Sequence, residues 1–161
     1  RTATQESITV NEARLPWTHI SPKTYQAMAG VSATLAQSTL GPQLIELVQA
    51  RVSQLNGCAF CLDMHVRDLR RLGEGWQRIN SLPTWRETGF YSARERAALN
   101  WAESMTRLVD SHGSHDGDFE ALKLQFSDQE IVELSWAVAA INTWNRMAIS
   151  MQAPVLEKPI D

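Results

Sequence analysis

The stretch from Ser127 to about Met151 constrains the fold more than any other part of the chain. It opens on Ser127-Asp-Gln-Glu130, in which a serine hydroxyl accepts from the backbone three residues on and the glutamate bonds back to the serine's own N–H. Behind this capping box runs "LSWAVAAINTWNRMAI", residues 134–149, apolar nearly all round. Ile131, Leu134, Val138 and Ile141 fall on one side, and Trp136, Ala140, Trp144 and Met147 on another. A helix of this kind has to be covered on more than one face. Either a neighbouring subunit or the monomer's own core must supply the second cover, and a homo-oligomer is the favoured expectation. The run is too short to span a bilayer and is interrupted by Asn142, Asn145 and Arg146, so it predicts a buried helix and no membrane anchor. Those three polar groups must find partners, which reads as core or interface hydrogen bonding.

The rest of the chain is punctuated in the same way, and no alternating run is long enough to need a sheet. Ser21-Pro22 predicts a helix through about Gln37, and Gly41-Pro42 a second one with Leu44, Val48, Val52 and Leu55 as its apolar stripe. Asn56-Gly57 stops that helix, and the next carries Cys61, His65 and Leu69 until Gly73 ends it. A short helix is expected between Gly75 and Leu82. The capping box Ser92-Ala-Arg-Glu95 starts another that reaches about Val109. "DSHGSHDGD", residues 110–118, reads as a polar loop before a short helix from Phe119 to Gln125. Residues 1–16 and 153–161 read as extended tails. The expected fold class is all-α, a helical bundle in a single domain over residues 1–161.

The formal charge of −3 and pI of 5.8 argue against a general attraction to nucleic acid or to an anionic membrane. Arg67, Arg70 and Arg71 read as one solvated helix face. Two cysteines are too few for a disulfide scaffold, and no basic-led apolar leader precedes a small-residue cleavage site. A reducing cytosol is therefore the expected setting, where a close cysteine pair is catalytic or metal-binding more often than structural.

That pair sits in "NGCAFCLDMH", residues 56–65. Cys58 follows the helix stop and Cys61 falls in the first turn of the new helix, where unpaired N–H groups and the positive dipole end stabilise a thiolate. Residues three apart on a helix lie roughly 5–6 Å apart, within the reach of a reversible disulfide. His65, one turn beyond Cys61 on the same face, can take its proton or hold its thiolate. A nucleophile, a base and a resolving thiol within ten residues suit peroxide reduction. Three other readings compete. A zinc site would use Cys58, Cys61 and His65 with a fourth ligand from His112 or His115, but no second C-x-x-C completes it. A thioredoxin-like site would want a strand before the pair. Two buried cysteines close by chance would not normally bring a histidine one turn away. His19 sits in a proline-flanked loop and reads as incidental; His112 and His115 read as solvated.

Glu46, twelve residues before Cys58, together with "RVSQLNGCAFCLDMH" resembles the E-x11-C-x-x-C-x-x-x-H signature of the alkylhydroperoxidase D family, in the carboxymuconolactone decarboxylase-like superfamily. "SLPTWRETGFYSARERAALNWAESMT" (81–106) and "AAINTWNRMAI" (139–149) extend the likeness. The resemblance implies an all-helical bundle assembling as a trimer or a hexamer of dimers, with no bound metal or organic cofactor. It implies Cys61 as the peroxidatic cysteine, Cys58 as its resolving partner, and His65 with Glu46 as the proton relay. Its expected partners are an organic hydroperoxide and a thiol reductant such as dihydrolipoamide carried on a protein. The alternative is a non-catalytic redox sensor or partner-binding oligomer whose pair only switches state. The decarboxylase branch lacks the C-x-x-C pair, so its reaction does not carry over. One departure stands out: the family's peroxidases have a histidine just before the second cysteine, and this chain has Phe60. Phe60, Leu62 and Met64 then either shape an apolar approach or are plain core. Glu46 lies roughly 16–18 Å from Cys58 along a straight helix, so it reaches the pair only if the two helices pack closely. Ala50, Ser53 and Gly57, all small, permit that approach; otherwise Glu46 is a solvated surface charge.

Overall fold

All regular structure in the described residues, 12–111 and 115–161 of a computed structural model, is helical. In chain order it runs α1 (Trp17–Ile20), α2 (Pro22–Leu35), α3 (Pro42–Asn56), α4 (Ala59–Arg71), α5 (Trp76–Ser81), a 3₁₀ stretch (Leu82–Glu87), α6 (Ala93–Thr106), α7 (Leu108–Ser111), α8 (Asp116–Lys123) and α9 (Asp128–Ser150). Residues 1–11 and His112 lie outside the described residues, so the expectations for the start of the first tail and for that histidine stay where the sequence left them. No helix among the described residues is long and apolar enough to cross a membrane.

Both serine–glutamate capping boxes form, Ser92 with Glu95 at the start of α6 and Ser127 with Glu130 at the start of α9. The helix expected to run from Ser92 to Val109 is shorter. Its backbone leaves helical geometry at Arg107 (φ −101°, ψ 45°), and Leu108–Ser111 is a separate turn. The expected Phe119–Gln125 helix begins earlier, at Asp116, with Asp116 and Asp118 in the first turn, where carboxylates complement the helix dipole. Two elements escaped the sequence pattern. α1 has four residues and too little length for periodicity, and it places His19 in a helical turn rather than a loop. The 3₁₀ stretch puts Pro83 in its opening turn, where a missing N–H leaves no bond unmade.

α9 lies at the centre. Its face of Ile131, Leu134, Val138 and Ile141 is buried with Leu44, Val48 and Val52 of α3, Ala98 and Ala102 of α6, and both cysteines. Part of its second face is covered from within the same chain, by Leu35 and Met28 of α2 over Ala137 and Ala140. Trp144 is half-buried and donates its indole N–H to Ser32 Oγ at 2.9 Å. An outer strip stays on the surface of the chain, with Val132 56% and Trp136 61% exposed.

α3 and α4 form a tight hairpin about Gly57, which takes the left-handed conformation (φ 72°, ψ 31°) that a Cβ would strain. Ala50, fully buried on α3, shares an apolar cluster with Leu69 of α4, against which Leu62 and Val66 pack. The far end of α4 is tied down by Glu74, only 3% exposed, which accepts from Gln43 and Arg78. Burial pushes that carboxyl up, and the bonds from Arg78, Gln43 and the Gly75 N–H together pull it further down, below the ordinary range. The arginines of α4 are not one solvated face. Arg67 donates to the carbonyls of Lys158 and Pro159, and Arg70 to that of Asp161, so residues 153–161, which have no regular structure, are drawn across the helix. Only Arg71 of the three is largely exposed.

Candidate active site

Cys58 is the N-cap of α4, with extended backbone (φ −85°, ψ 99°), and its sulfur accepts from the Cys61 N–H at 3.3 Å. The two sulfurs are joined as a disulfide, with Cα atoms 5.4 Å apart. That spacing is what residues three apart at a helix start provide, so closing the pair asks little of the backbone. Both cysteines are almost fully buried from bulk water, Cys58 at 2% and Cys61 at 1%. They are not equivalent, however. A cavity of about 400 Å³ is lined by Cys61, Phe60, Met64 and His65 of α4, while Cys58 does not reach it. The donor at the helix start is aimed at Cys58, and the open space is in front of Cys61.

His65 is 5% exposed. Its Nδ1 lies 2.6 Å from Glu46 Oε2, so the α3–α4 hairpin does bring the distant glutamate to the site, and Glu46 is not a solvated surface charge. A carboxylate only accepts, so Nδ1 carries the hydrogen and the other ring nitrogen presents a lone pair. That nitrogen, His65 Nε2, is buried with no hydrogen-bond partner among the described residues. Buried polar atoms are almost always paired, at a cost of about 1–3 kcal/mol when they are not, so an unpaired imidazole nitrogen on a residue that lines the same cavity as Cys61 is chemically able to accept a proton.

Glu46, His65 and Asp68 each offer one ligand atom within 4.8 Å of the others. The 2.6 Å contact between Glu46 and His65 is shorter than two ligands around one ion normally stand, and is a hydrogen bond. Cys58 and Cys61, two of the residues a zinc site would need, are bonded to each other. His115 is engaged elsewhere, with its ring on Trp101 and its Nε2 beside Ser111 Oγ.

The apolar trio early in α4 divides. Phe60 and Met64 line the cavity, whereas Leu62 packs into the core beside Leu69. The polar residues of α9 hold the end of α3. Asn56 donates to the side-chain oxygens of Asn142 and Asn145, both at 2.9 Å, and Asn145 donates to Ser53 Oγ at 3.1 Å. Arg146 in turn donates to the Asn142 oxygen. Asn145 is fully buried and fixes the residue two before Cys58, so these side chains position the pair from behind. Asn145→Ala is expected to lower unfolding free energy by about 1–3 kcal/mol, because Ser53 and Asn56 each lose a buried partner. Urea denaturation of the two proteins checks this; an unchanged midpoint would show the clamp to be dispensable. Asn56 was missed from sequence, since an Asn-Gly pair reads first as a helix stop.

A model of the carboxymuconolactone decarboxylase family matches residues 22–104, just over half the chain and including Glu46, both cysteines and His65. The chain belongs to the carboxymuconolactone decarboxylase family. Within the family it is alkylhydroperoxidase D-like. The uncharacterized protein YdfG of Bacillus subtilis (strain 168) is 38% identical over 138 residues, covering 86% of this chain and 93% of that protein. A crystal structure from Agrobacterium tumefaciens has a TM-score of 0.85 and 37% identity, over 91% of this chain and 100% of the other; its function is unknown and its suggested role is that of an antioxidant defence protein AhpD. An uncharacterized peroxidase-related protein from Silicibacter sp. TM1040 has a TM-score of 0.72 and 27% identity, over 81% and 69% of the two chains. The two solved structures share the helical fold of this chain, and its C-x-x-C pair stands at disulfide distance within that fold.

Proposed function

We propose that this family member is a thiol-dependent peroxidase that reduces organic hydroperoxides through Cys61 and Cys58, with His65 and Glu46 moving protons. The observation that carries the reading is the shared cavity wall: Cys61 and His65 line one space, and His65 keeps a buried, unpartnered nitrogen.

In the dithiol state His65 Nε2 takes the proton of the Cys61 thiol, and the thiolate attacks the terminal oxygen of R–O–OH. The O–O bond breaks, the sulfur becomes a sulfenic acid, and the alkoxide takes a proton from the His65 imidazolium to leave as ROH. The Cys58 thiolate, favoured by the Cys61 N–H at the helix start, then attacks the Cys61 sulfur. The S–S bond forms, and hydroxide departs as water with the proton that the Cys58 thiol gave up. A dithiol reductant, by family likeness a dihydrolipoamide group, supplies two electrons and two protons to restore the pair. Its first thiolate attacks Cys61, the sulfur facing the cavity, and Cys58 is the better leaving group because it keeps its backbone donor. Phe60 stands where family peroxidases carry a second histidine, so one imidazole serves both protonations.

Self-association belongs to the same reading, supported by the surface strip of Val132 and Trp136 on the central helix. Sedimentation velocity at micromolar concentration reads it, and a monomer would remove it. The test of the activity is steady-state turnover of an organic hydroperoxide with dihydrolipoamide. Continuous turnover is expected. Oxidation of one equivalent followed by a stop would instead identify a redox switch.

A further inference from the structure

The wall of the cavity away from α4 is made of rings. Trp17 of α1 meets Tyr25 of α2 with centroids 5.7 Å apart, Tyr25 meets Trp144 of α9 at 5.6 Å, and Trp17 lies 6.3 Å from Trp144. All three line the cavity that Cys61 and His65 share. α2 contributes only Leu35 to the buried core among its 14 residues, and Tyr25, 37% exposed, lines the cavity instead. The Trp144 N–H is already given to Ser32, which leaves its ring to act as a surface. Phe60, 41% exposed, adds a ring on the α4 side. Tyr25 meets both tryptophans edge to face and the tryptophans are tilted at 55° to each other, and rings so arranged around a partly open space suit an aromatic guest, which repeats the contacts they make with one another. About 400 Å³ far exceeds what hydrogen peroxide needs. Glu46 and Asp68 put two carboxylates on the polar part of the lining, which disfavours a substrate bearing its own anion.

We infer that the cavity selects an uncharged aryl-bearing hydroperoxide, its ring against Trp17, Tyr25 and Trp144 and its terminal oxygen presented to Cys61. This rests on the peroxidase reading of the site. The step is the one given above: the O–O bond breaks, the aryl alcohol leaves, Cys61 is oxidised to the sulfenic acid and Cys58 resolves it. Trp17, Tyr25 and Trp144 determine specificity and take no part in the bond changes.

Two measurements test this and separate it from the activity itself. The first needs no turnover. The disulfide form is titrated with 2-phenyl-2-propanol and with tert-butanol, followed by tryptophan fluorescence and by NMR. The phenyl alcohol is expected to bind at least about tenfold tighter, and Trp17→Ala and Tyr25→Ala, both at the cavity's outer edge, to narrow that ratio towards one. The second compares kcat/KM for cumene hydroperoxide, tert-butyl hydroperoxide and a fatty-acid hydroperoxide with dithiothreitol as reductant. Cumene hydroperoxide is expected to lead, and its advantage over tert-butyl hydroperoxide to fall about tenfold in either variant. Turnover with equal constants for the aryl and tert-butyl peroxides, or equal binding of the two alcohols, overturns the inference and leaves the peroxidase reading intact. Selective binding of the phenyl alcohol with no turnover of any peroxide overturns the peroxidase reading and upholds ring recognition by the cavity.

Discussion

Cys61→Ser is expected to reduce peroxide turnover by more than about a thousandfold, because an un-ionised hydroxyl replaces the attacking thiolate. Cys58→Ser is expected to fail differently. Cys61 still faces the cavity in that variant, so it should react once with peroxide and stop as a sulfenic acid that a dimedone-type reagent traps. The asymmetry follows from where the two sulfurs sit. Cys58 receives the helix-start N–H and is not part of the cavity lining, and Cys61 lines it. Mass spectrometry after one equivalent of cumene hydroperoxide distinguishes the pair: label on Cys61 in Cys58→Ser, none on Cys58 in Cys61→Ser. Label on Cys58 would reverse the assignment, and full steady-state turnover in Cys61→Ser would end the assignment of Cys61 as the attacking thiol.

The sequence shows the pair clearly because everything that places it is local. Gly57 fixes the turn, Cys58 caps, and Cys61 and His65 follow at helical spacing within one continuous helix. Glu46 is the intermediate case. Its distance along α3 argues against contact, and apart from the family signature the small residues Ala50, Ser53 and Gly57 are what hint that the helices close to hydrogen-bonding range. The aromatic wall is not legible at all, since Trp17, Tyr25 and Trp144 come from three elements and meet only through the fold. α1 has no period to detect, and Trp144 reads as one more apolar residue on a helix that has many. The Asn56–Asn142–Asn145 clamp is invisible for the same reason: buried asparagines announce that partners exist without naming them. Arg67 and Arg70 mislead, because the backbone carbonyls that engage them carry no side-chain signature.

His65→Ala should slow turnover by about 10²–10⁴ while the protein stays folded. Stability is expected to change little, since the imidazole already has one unsatisfied buried nitrogen, and its other bond is to a carboxylate that is 20% exposed and can be rehydrated. A loss of rate with an intact thermal transition therefore points to proton transfer and not to collapse of the site. Rescue decides between chemistry and shape. Removing the ring enlarges a cavity that already borders it, so added imidazole can enter and restore part of the rate. Benzene-sized molecules without a basic nitrogen should restore none. Glu46→Gln is expected to act on the same step more weakly. An amide can still bond to Nδ1, but it can do so by donating its own N–H, which shifts the hydrogen to Nε2 and removes the free lone pair the mechanism needs. His65→Ala and Glu46→Gln combined should then cost no more than His65→Ala alone, because the carboxylate acts only through the ring. Additive losses in that double variant, measured as kcat/KM, would mean that Glu46 handles a proton on its own account.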